Sequence, residues 1–333
     1  MNSINTNFAA MTALQSLNQT NKDMIKTQSR ISTGYRVGQA SDNAAYWSMA
    51  TTMRSDNKSL SAVTDALGLG AATVDTAYTA MDKAIDVMTD IQQKLVLARQ
   101  PGADRDKIQT EIDQLQDQLR SIAISTSFTG ENWLAVDNGQ SGGGTYSYTA
   151  TEEIVASFSR TGDTVAVGTI SIDISTTYLF NFNTDGAGGA IGSGTATADE
   201  LGILGSARLA ATGEIDAAGT LTLVSVDGTS EMDISAATEA QIDEFLTAVD
   251  KAIQDMTDAA TNLGAAKSRI NLQQDFIASL GDAIDRGVST LVDADMNEES
   301  TRIQALQVQQ QLGIQALSIA NSNSENILAL FRQ

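Results

Sequence analysis

The sequence predicts a mainly α fold with a β insert. Apolar residues recur at alternating steps of three and four near both ends of the chain, which is the spacing of a coiled coil. Eight apolar residues recur at intervals of seven between positions 242 and 291. The stretch 136–235 is instead Gly-rich and acidic, with alternating β-forming runs. We therefore expect the N- and C-terminal helices to pair into a coiled-coil layer and a long helical rod, and the middle of the chain to form a variable β-rich outer domain.

The two terminal segments are nearly free of charge. Residues 1–21 carry no charged side chain, and residues 301–333 carry only Arg302, Glu325 and Arg332. A helix that faces solvent normally carries charge on its outer face, so these helices are expected to be covered. The predicted seam residues are Ala10, Leu14, Leu17, Asn21, Met24, Gln28 and Ile31 in the first segment, and Ile303, Leu306, Gln310, Gly313, Leu317, Ala320, Ser324, Ile327 and Phe331 in the second.

The terminal helices have more than one apolar face. Ile314, Ile319 and Leu328 lie off the seam, so each helix needs a further partner, which other copies of the chain would supply. The Asn, Gln and Ser side chains there either face water or hydrogen-bond across packed helices. The scarcity of charge favours the second interpretation, because a buried amide can be satisfied whereas a buried unpaired charge is costly. The candidate subunit-interface residues are Ile4, Phe8, Met11, Leu14, Leu17, Ile31, Ile303, Leu306, Ile314, Leu317, Ile327, Leu328 and Phe331.

Two consecutive helices are predicted after the first segment. One runs from about residue 43 to residue 99, where Pro101-Gly102 stops it, and the next begins near Asp104. Residues 125–134 lose the helical period and offer Gly130 for a turn, which predicts a short hairpin. The apolar stripes are Leu60, Val63, Leu67, Ala71, Val74, Tyr78, Met81, Ile85, Met88, Ile91 and Leu95, and then Ile108, Ile112, Leu115, Leu119 and Ile122.

Helix returns from about residue 236 with a strict seven-residue period. A heptad repeat held over so many turns predicts left-handed supercoiling. Small residues on the companion seam would let neighbouring helix axes approach closely. The first seam is Ile242, Val249, Met256, Leu263, Ile270, Ile277, Ile284 and Leu291, and the companion seam is Phe245, Ala252, Ala259, Ala266, Gln273, Leu280 and Gly287.

The middle of the chain is a small acidic insert. Arg160 and Arg208 are its only basic residues. The runs 164–167, 169–174 and 220–226 alternate between apolar and polar residues, which predicts strands with one buried face. Aromatic residues concentrate there, at Tyr146, Tyr148, Phe158, Tyr178, Phe180 and Phe182.

Composition excludes several classes of function. The net charge is −21, and the sequence has no cluster of Lys and Arg that could bind nucleic acid or an anionic membrane surface. No apolar run reaches the ~18–20 residues that span a bilayer. The chain has no Cys and no His, which removes thiolate nucleophiles and the most common general base. The first residues lack a basic n-region and a continuous apolar core, so we expect no cleaved signal peptide.

Three local motifs resemble functional sites. Gly68-x-Gly70 lies inside a helical stripe with no strand before it, which does not fit a dinucleotide loop. Residues 293–297 begin like a calcium loop but lack its Gly and its bidentate Glu; Asp293 and Asp295 better fit the end of one helix and the cap of the next. Glu152-Glu153 fits a solvated surface, although a hydrolase site in the insert is kept as the enzyme alternative. We expect no enzyme activity, no metal and no cofactor.

Several separated blocks of the sequence are informative as a set. They are residues 3–7 with Ala13-Leu14, 31–37, 40–45, 126–130 with Leu134, Leu263-Gly264 with Arg269-Ile270, 293–295, Gln310-Gln311, Gly313, Ala316-Leu317, Ala320-Asn321 and 326–328. These blocks resemble those of bacterial flagellins, in particular of the alphaproteobacterial kind. They follow the order of that family and cover roughly residues 1–135 and 240–333, with the insert between them.

The resemblance implies a subunit of the helical filament that drives swimming. By this likeness, residues 1–43 with 291–333 form an inner coiled-coil domain lining a central channel, 44–135 with 236–290 form a helical rod domain, and 136–235 form the outer domain. The likeness also implies export through the flagellar secretion channel to the extracellular filament. The implied partners are other copies or other flagellins, a cap, hook-junction proteins and an export chaperone.

One segment departs from many members of the family. The helix at residues 88–100 corresponds to the region that an animal innate-immune receptor recognises in them. Here residues 91–100 lack the Arg-then-Glu pattern of those members. We expect weak or absent receptor activation, and a robust response of reporter cells to nanomolar protein would contradict this.

The sequence alone thus predicts a structural, self-assembling subunit whose terminal segments fold as they join the filament. A hook–filament junction protein of the same axial family is the main alternative, since it would share the terminal seams but form only a short segment. The secreted hydrolase is the alternative from another class.

Overall fold

A computed structural model describes residues 7–136, 151–162, 164–181, 202–204, 207–208, 212, 221–223 and 232–330 of the chain. Within these residues the helices are α1 (Phe8–Thr33), α2 (Ala44–Ala98), α3 (Arg105–Ser125), α4 (Glu239–Val292) and α5 (Met296–Leu330). The strands are β1 (Ala135–Val136), β2 (Thr151–Thr161), β3 (Thr164–Asp173), β4 (Phe180–Asn181), β5 (Ala207–Arg208) and β6 (Leu221–Thr222). The predicted mainly α fold with a β insert is confirmed.

The chain divides into two compact units. One contains the residues up to 59 and from 279 onwards, and the other contains residues 60–278. The first unit, which we call the terminal unit, holds α1, α5, the beginning of α2 and the end of α4. The second, which we call the central unit, holds the rest of α2 and α4 together with α3 and the strands.

Side-chain caps set the ends of the helices. Asn7 accepts a hydrogen bond from the Ala10 N–H at the start of α1 (3.0 Å). Thr238 and Gln241 form a reciprocal capping box at the start of α4, with distances of 2.8 and 3.3 Å. Asp295 Oδ1 accepts from the Asn297 N–H (2.8 Å), so this residue caps α5 as predicted from the sequence.

The core of the central unit lies between α2, α3 and α4. The first heptad seam of α4 is buried from Ile242 to Ile277, as its period predicts. The stripe of α2 is also buried or half-buried, except that Tyr78 is exposed and Ala77 takes its place in the core. On α3 the buried face contains a polar side chain, Gln116, whose Nε2 donates to the Leu223 carbonyl (2.8 Å).

A tight hairpin follows α3, as predicted. Phe128 and Glu131 exchange two backbone hydrogen bonds of 2.9 and 3.0 Å. The two residues between them, Thr129 and Gly130, have φ angles of 53° and 94°. A two-residue turn with both φ angles positive matches the right-handed twist of the flanking strands, which explains the need for Gly130.

Strands β2 and β3 form an antiparallel pair with an irregularity at Ala156. The predicted runs 164–167 and 169–174 therefore belong to one continuous strand, β3, over most of their length. Their prediction as two separate runs is corrected. Ile170 and Ile172 are buried, whereas Val165 and Val167 are exposed. The expected single buried face thus exists only in the half of β3 beyond Gly168. Val165 and Val167 occupy odd positions and Ile170 and Ile172 even positions, so the two pairs point to opposite faces of the strand.

Part of the insert packs into the core of the central unit. The Leu179 N–H donates to the Leu134 carbonyl (2.8 Å), and the Leu204 N–H donates to the Leu179 carbonyl (3.0 Å). Leu179, Phe180 and Leu204 belong to the same apolar cluster as α2, α3 and α4. Of the run predicted as a strand at 220–226, residues 221–222 form β6, and Tyr146, Tyr148 and Phe182 lie outside the described residues.

Candidate assembly interface

Helices α1 and α5 pack side by side in opposite directions. Gln310 Nε2 donates to Asn21 Oδ1 (2.8 Å), and Asn7 Nδ2 donates to the Ala320 carbonyl (2.9 Å). The residue numbers rise along one helix as they fall along the other, so the pair is antiparallel. The expected hydrogen bonds across the helices are thus present at these amide side chains, whereas others, such as Gln15 and Gln311, are exposed.

From Ile303 to Ala320 the seam of α5 follows the predicted spacing, and the side chains of Ser324, Ile327 and Phe331 lie outside the described residues. Leu306 is buried, and Ile303, Gln310, Gly313, Leu317 and Ala320 are half-buried. Gly313 marks a close approach, since a methyl group in its place would lie 3.2 Å from Leu17 Cδ1.

The seam of α1 differs from the prediction at two positions. Leu14 and Gln28 are exposed, and the residues that precede them, Ala13 and Thr27, face α5 instead. The steps from Ala10 to Leu17 and from Met24 to Ile31 are therefore three then four, instead of four then three, and the seam keeps its mean period of 3.5 residues. Small side chains at both positions also suit a closely packed pair.

A buried ion pair lies where the seam approaches the start of α5. Arg30 Nη1 is 2.9 Å from Glu299 Oε1, and Arg302 Nη1 is 3.6 Å from the same oxygen. The Glu299 side chain is 5% exposed. This ion pair was not predicted from the sequence. The signal that could have indicated it is Glu298-Glu299, which lies in the first turn of α5 next to a segment almost without charge.

Asp42 holds the connector between α1 and α2. Its Oδ2 accepts hydrogen bonds from the Gly38 and Gln39 N–H groups (3.2 and 3.4 Å), and its Oδ1 lies 3.3 Å from Lys26 Nζ. Burial raises the pKa of the Asp42 carboxyl, but the Gly38 N–H, the Lys26 ammonium and the Gln39 N–H together outweigh it and hold that pKa below its ordinary value. The connector is therefore ordered by an ionised carboxylate.

The candidate interface residues fall into two sets. Leu17, Ile31, Ile303, Leu306 and Leu317 lie on the seam between α1 and α5. Phe8, Met11, Leu14 and Ile314 instead expose from 48% to 63% of their surface. Ile4 and Phe331 lie outside the described residues, as do the side chains of Ile327 and Leu328.

The outward side of α5 carries an apolar stripe of its own, which we call the outer stripe. It consists of Val308, Leu312, Ala316 and Ile319, all exposed and spaced by four, four and three residues. At 3.6 residues per turn this spacing keeps all four side chains on one face of the helix. Of these four residues, only Ile319 was identified from the sequence as lying off the seam. Marking every apolar residue of α5 at 3.6 residues per turn would have shown the whole stripe.

The described residues hold no group of three metal-ligating side chains placed to bind an ion. Among the same residues, no helix has both the length and the apolar character needed to cross a membrane. The α1–α5 pair exposes large apolar side chains, such as Phe8, Leu312 and Ile319, and such a surface suits association with other helices.

Comparison with known proteins agrees with this surface. Residues 4–138 match the model of the bacterial flagellin N-terminal helical region, and residues 246–331 match that of the C-terminal helical region. The chain is 52% identical to flagellin C of Rhizobium meliloti (strain 1021) over 335 residues, 44% identical to flagellin B of Rhizobium meliloti over 403 residues, and 43% identical to a flagellin of Brucella melitensis biotype 1 over 333 residues. Each alignment covers 100% of both chains. The chain therefore belongs to the bacterial flagellin family, of the alphaproteobacterial type, and is a structural subunit of the flagellar filament rather than an enzyme.

Proposed function

We propose that this chain builds the filament by coupled folding and packing of its terminal helices. The observation that carries the proposal is the outward side of α5, where Leu312 and Ile319 expose 58% and 66% of their surface in a stretch without charge. Apolar surface of this kind is unstable in water and is stabilised by a matching surface. Contacts between different faces of successive copies extend into a helix instead of closing into a ring.

In the free subunit we expect the terminal segments to be largely disordered. Isolated helices are marginal in water, and helical stability in proteins comes mostly from packing of an apolar face. The α1–α5 seam covers one face of each helix and leaves the other faces open. Neighbouring copies would cover those faces, so ordering of the segments and binding to the filament would occur together.

The domain roles and the further partners belong to the same proposal. Residues 1–43 with 291–333 would form the filament core, 44–135 with 236–290 the helical rod domain, and 136–235 the solvent-facing domain. Flagellar export would bring the subunit outside the cell, with an export chaperone, hook-junction proteins and a cap as its partners. The family relationship supports these roles.

Electron microscopy of purified subunits after addition of short filament seeds tests this proposal. The full chain should elongate into long tubes, and a variant that lacks residues 1–40 and 300–333 should not. Tubes from both would show that the ends do not drive assembly. No tubes from either would contradict self-elongation and favour the hook–filament junction alternative.

A further inference from the structure

The beginning of α2 presents aromatic and sulfur-containing side chains to solvent. Tyr46, Trp47 and Met49 are 39%, 37% and 46% exposed. The other tryptophan of the chain, Trp133, is only 4% exposed. Tryptophan is highly buried on average in folded proteins, so an exposed one beside Tyr and Met is informative. We call Tyr46 and Trp47 the aromatic patch; Met49, two residues beyond Trp47, points to another side of the helix.

The helix around this patch is anchored, which fixes the direction of the exposed side chains. Asn43 Oδ1 accepts hydrogen bonds from the N–H groups of Ala45 and Tyr46 (3.1 and 3.2 Å) and so caps the helix. Ala50, one turn further along, is buried in a small core with Val288 and Val292 of α4. Ala50 follows Tyr46 by four residues and Trp47 by three, so the two aromatic side chains flank this buried contact and remain partly exposed beside it.

Charge decides which partner suits the patch. Residues 43–53 carry no charged side chain, in a chain whose net charge is −21. Two copies of such an acidic chain repel each other over most of their surface, so they meet most favourably where both are uncharged. The outer stripe of α5 is likewise free of charge. A heterologous polymer also needs at least two different surfaces on every subunit, and the terminal unit offers the aromatic patch in addition to the outer stripe.

We propose that the aromatic patch is buried against a second copy of this chain in the filament, with Trp47 as its anchor. This inference rests on the proposed function. Trp and Tyr are enriched among the residues that dominate binding at protein interfaces, because they bury a large rigid surface. The patch therefore adds a lateral contact that the pairing of α1 with α5 does not supply.

Quenching of tryptophan fluorescence by acrylamide tests the proposal directly. In a Trp133→Phe variant Trp47 is the only tryptophan, and its quenching constant is measured in soluble subunits and in seeded filaments. We expect the constant to fall roughly fivefold on assembly, as for a side chain that becomes fully desolvated. The matched Trp47→Phe variant reports only the buried Trp133, whose quenching should be low in both states. An unchanged Trp47 constant in intact filaments would overturn the inference and leave the proposed function standing.

A second variant tests whether the contact matters for assembly. Trp47→Ser should raise the subunit concentration needed for elongation at least about tenfold, because it removes the anchor. Val167→Ser, which removes another exposed apolar side chain in the central unit, should leave that concentration within about twofold. Circular dichroism of the soluble subunits must be the same for both variants. Equal behaviour of the two in assembly would overturn the anchor role of Trp47, whereas failure of the unmodified chain to elongate would overturn the proposed function as well.

Discussion

Arg208 is a fully buried arginine that connects the insert to a helix. Its Nη1 lies 3.0 Å from Asp255 Oδ2 on α4, and its Nη2 donates to the Ile203 carbonyl (2.8 Å). Burial lowers the pKa of the Arg208 guanidinium, and the neighbouring Asp255 carboxylate acts in the opposite direction. This ion pair therefore joins strand β5 to α4.

Asp42 makes the terminal unit sensitive to acid. Its pKa in the folded state lies below the ordinary value of 3.8, so the ionised carboxylate stabilises the fold above that pH. The contribution disappears as the pH falls through the lowered folded-state pKa. In Asp42→Asn the side chain still accepts from the Gly38 and Gln39 N–H groups but no longer pairs with Lys26.

We expect Asp42→Asn filaments to depolymerise at a lower temperature than wild-type filaments at pH 7, and the difference to shrink as the pH is lowered towards about 3. Circular dichroism during heating measures both temperatures. The control is Asp282→Asn, the same exchange of a carboxylate for an amide at an exposed position of α4 in the terminal unit. A difference for Asp42→Asn that stays constant from pH 7 to about pH 3 would show that its charge has no role.

Two glycines of α2, two positions apart, have opposite surroundings. Gly68 is exposed, and a methyl group in its place would have no atom within 4 Å. Gly70 is buried, and the same methyl would lie 2.6 Å from Ile154 Cγ2 on β2. The Gly68-x-Gly70 motif, which was considered as a dinucleotide loop, is therefore part of a helix. Gly70 is required there because strand β2 packs closely against it.

Gly68→Ala should raise the free energy of unfolding of the subunit by about 0.5–1 kcal/mol, since it removes a glycine from a helix interior. Gly70→Ala should lower it, because an overlap with Ile154 costs about 1–3 kcal/mol and exceeds that gain. Urea unfolding of soluble subunits compares the two. The Gly70→Ala/Ile154→Ala double variant should be less destabilised than the sum of its single changes. Equal stabilisation by both alanines would mean that β2 does not contact α2 at Gly70.

The seam between α1 and α5 offers a direct test at Leu317. An aspartate there would place a charge on the half-buried face that meets α1, where the desolvation cost has no compensating partner. Leu317→Asp should abolish seeded elongation while the soluble subunit keeps its helical content. The control Leu317→Met, which keeps volume and polarity, should elongate normally. Normal filaments from Leu317→Asp would contradict the role of this seam.

The whole molecule carries a net charge of −21, which opposes the approach of copies. The Debye length falls from about 30 Å at 0.01 M ionic strength to about 8 Å at 0.15 M, so added salt weakens this repulsion. We expect seeded elongation to accelerate several-fold over that range. Light scattering follows the rate, and NaCl and KCl at equal ionic strength should act alike. Slower elongation in salt would mean that attractive ion pairs between copies dominate.

The sequence by itself determined the helices and where they end. Seven-residue periodicity, Pro101-Gly102 and the caps at Asp104 and Asp295 depend on contacts within a few residues, so they are visible in the chain without its fold. The apolar, uncharged character of both terminal segments likewise indicated an assembly surface. The order of the family blocks along the chain agreed with it.

Only the tertiary structure decided which side chains meet across long separations in the chain. The choice of Ala13 over Leu14 for the seam depends on how α1 packs against α5, and the burial of Glu299 depends on Arg30 on the opposite helix. Arg208 is buried because Asp255 and the Ile203 carbonyl surround it. Local periodicity contains no information on such pairs, because their energies arise from contacts between segments that fold together.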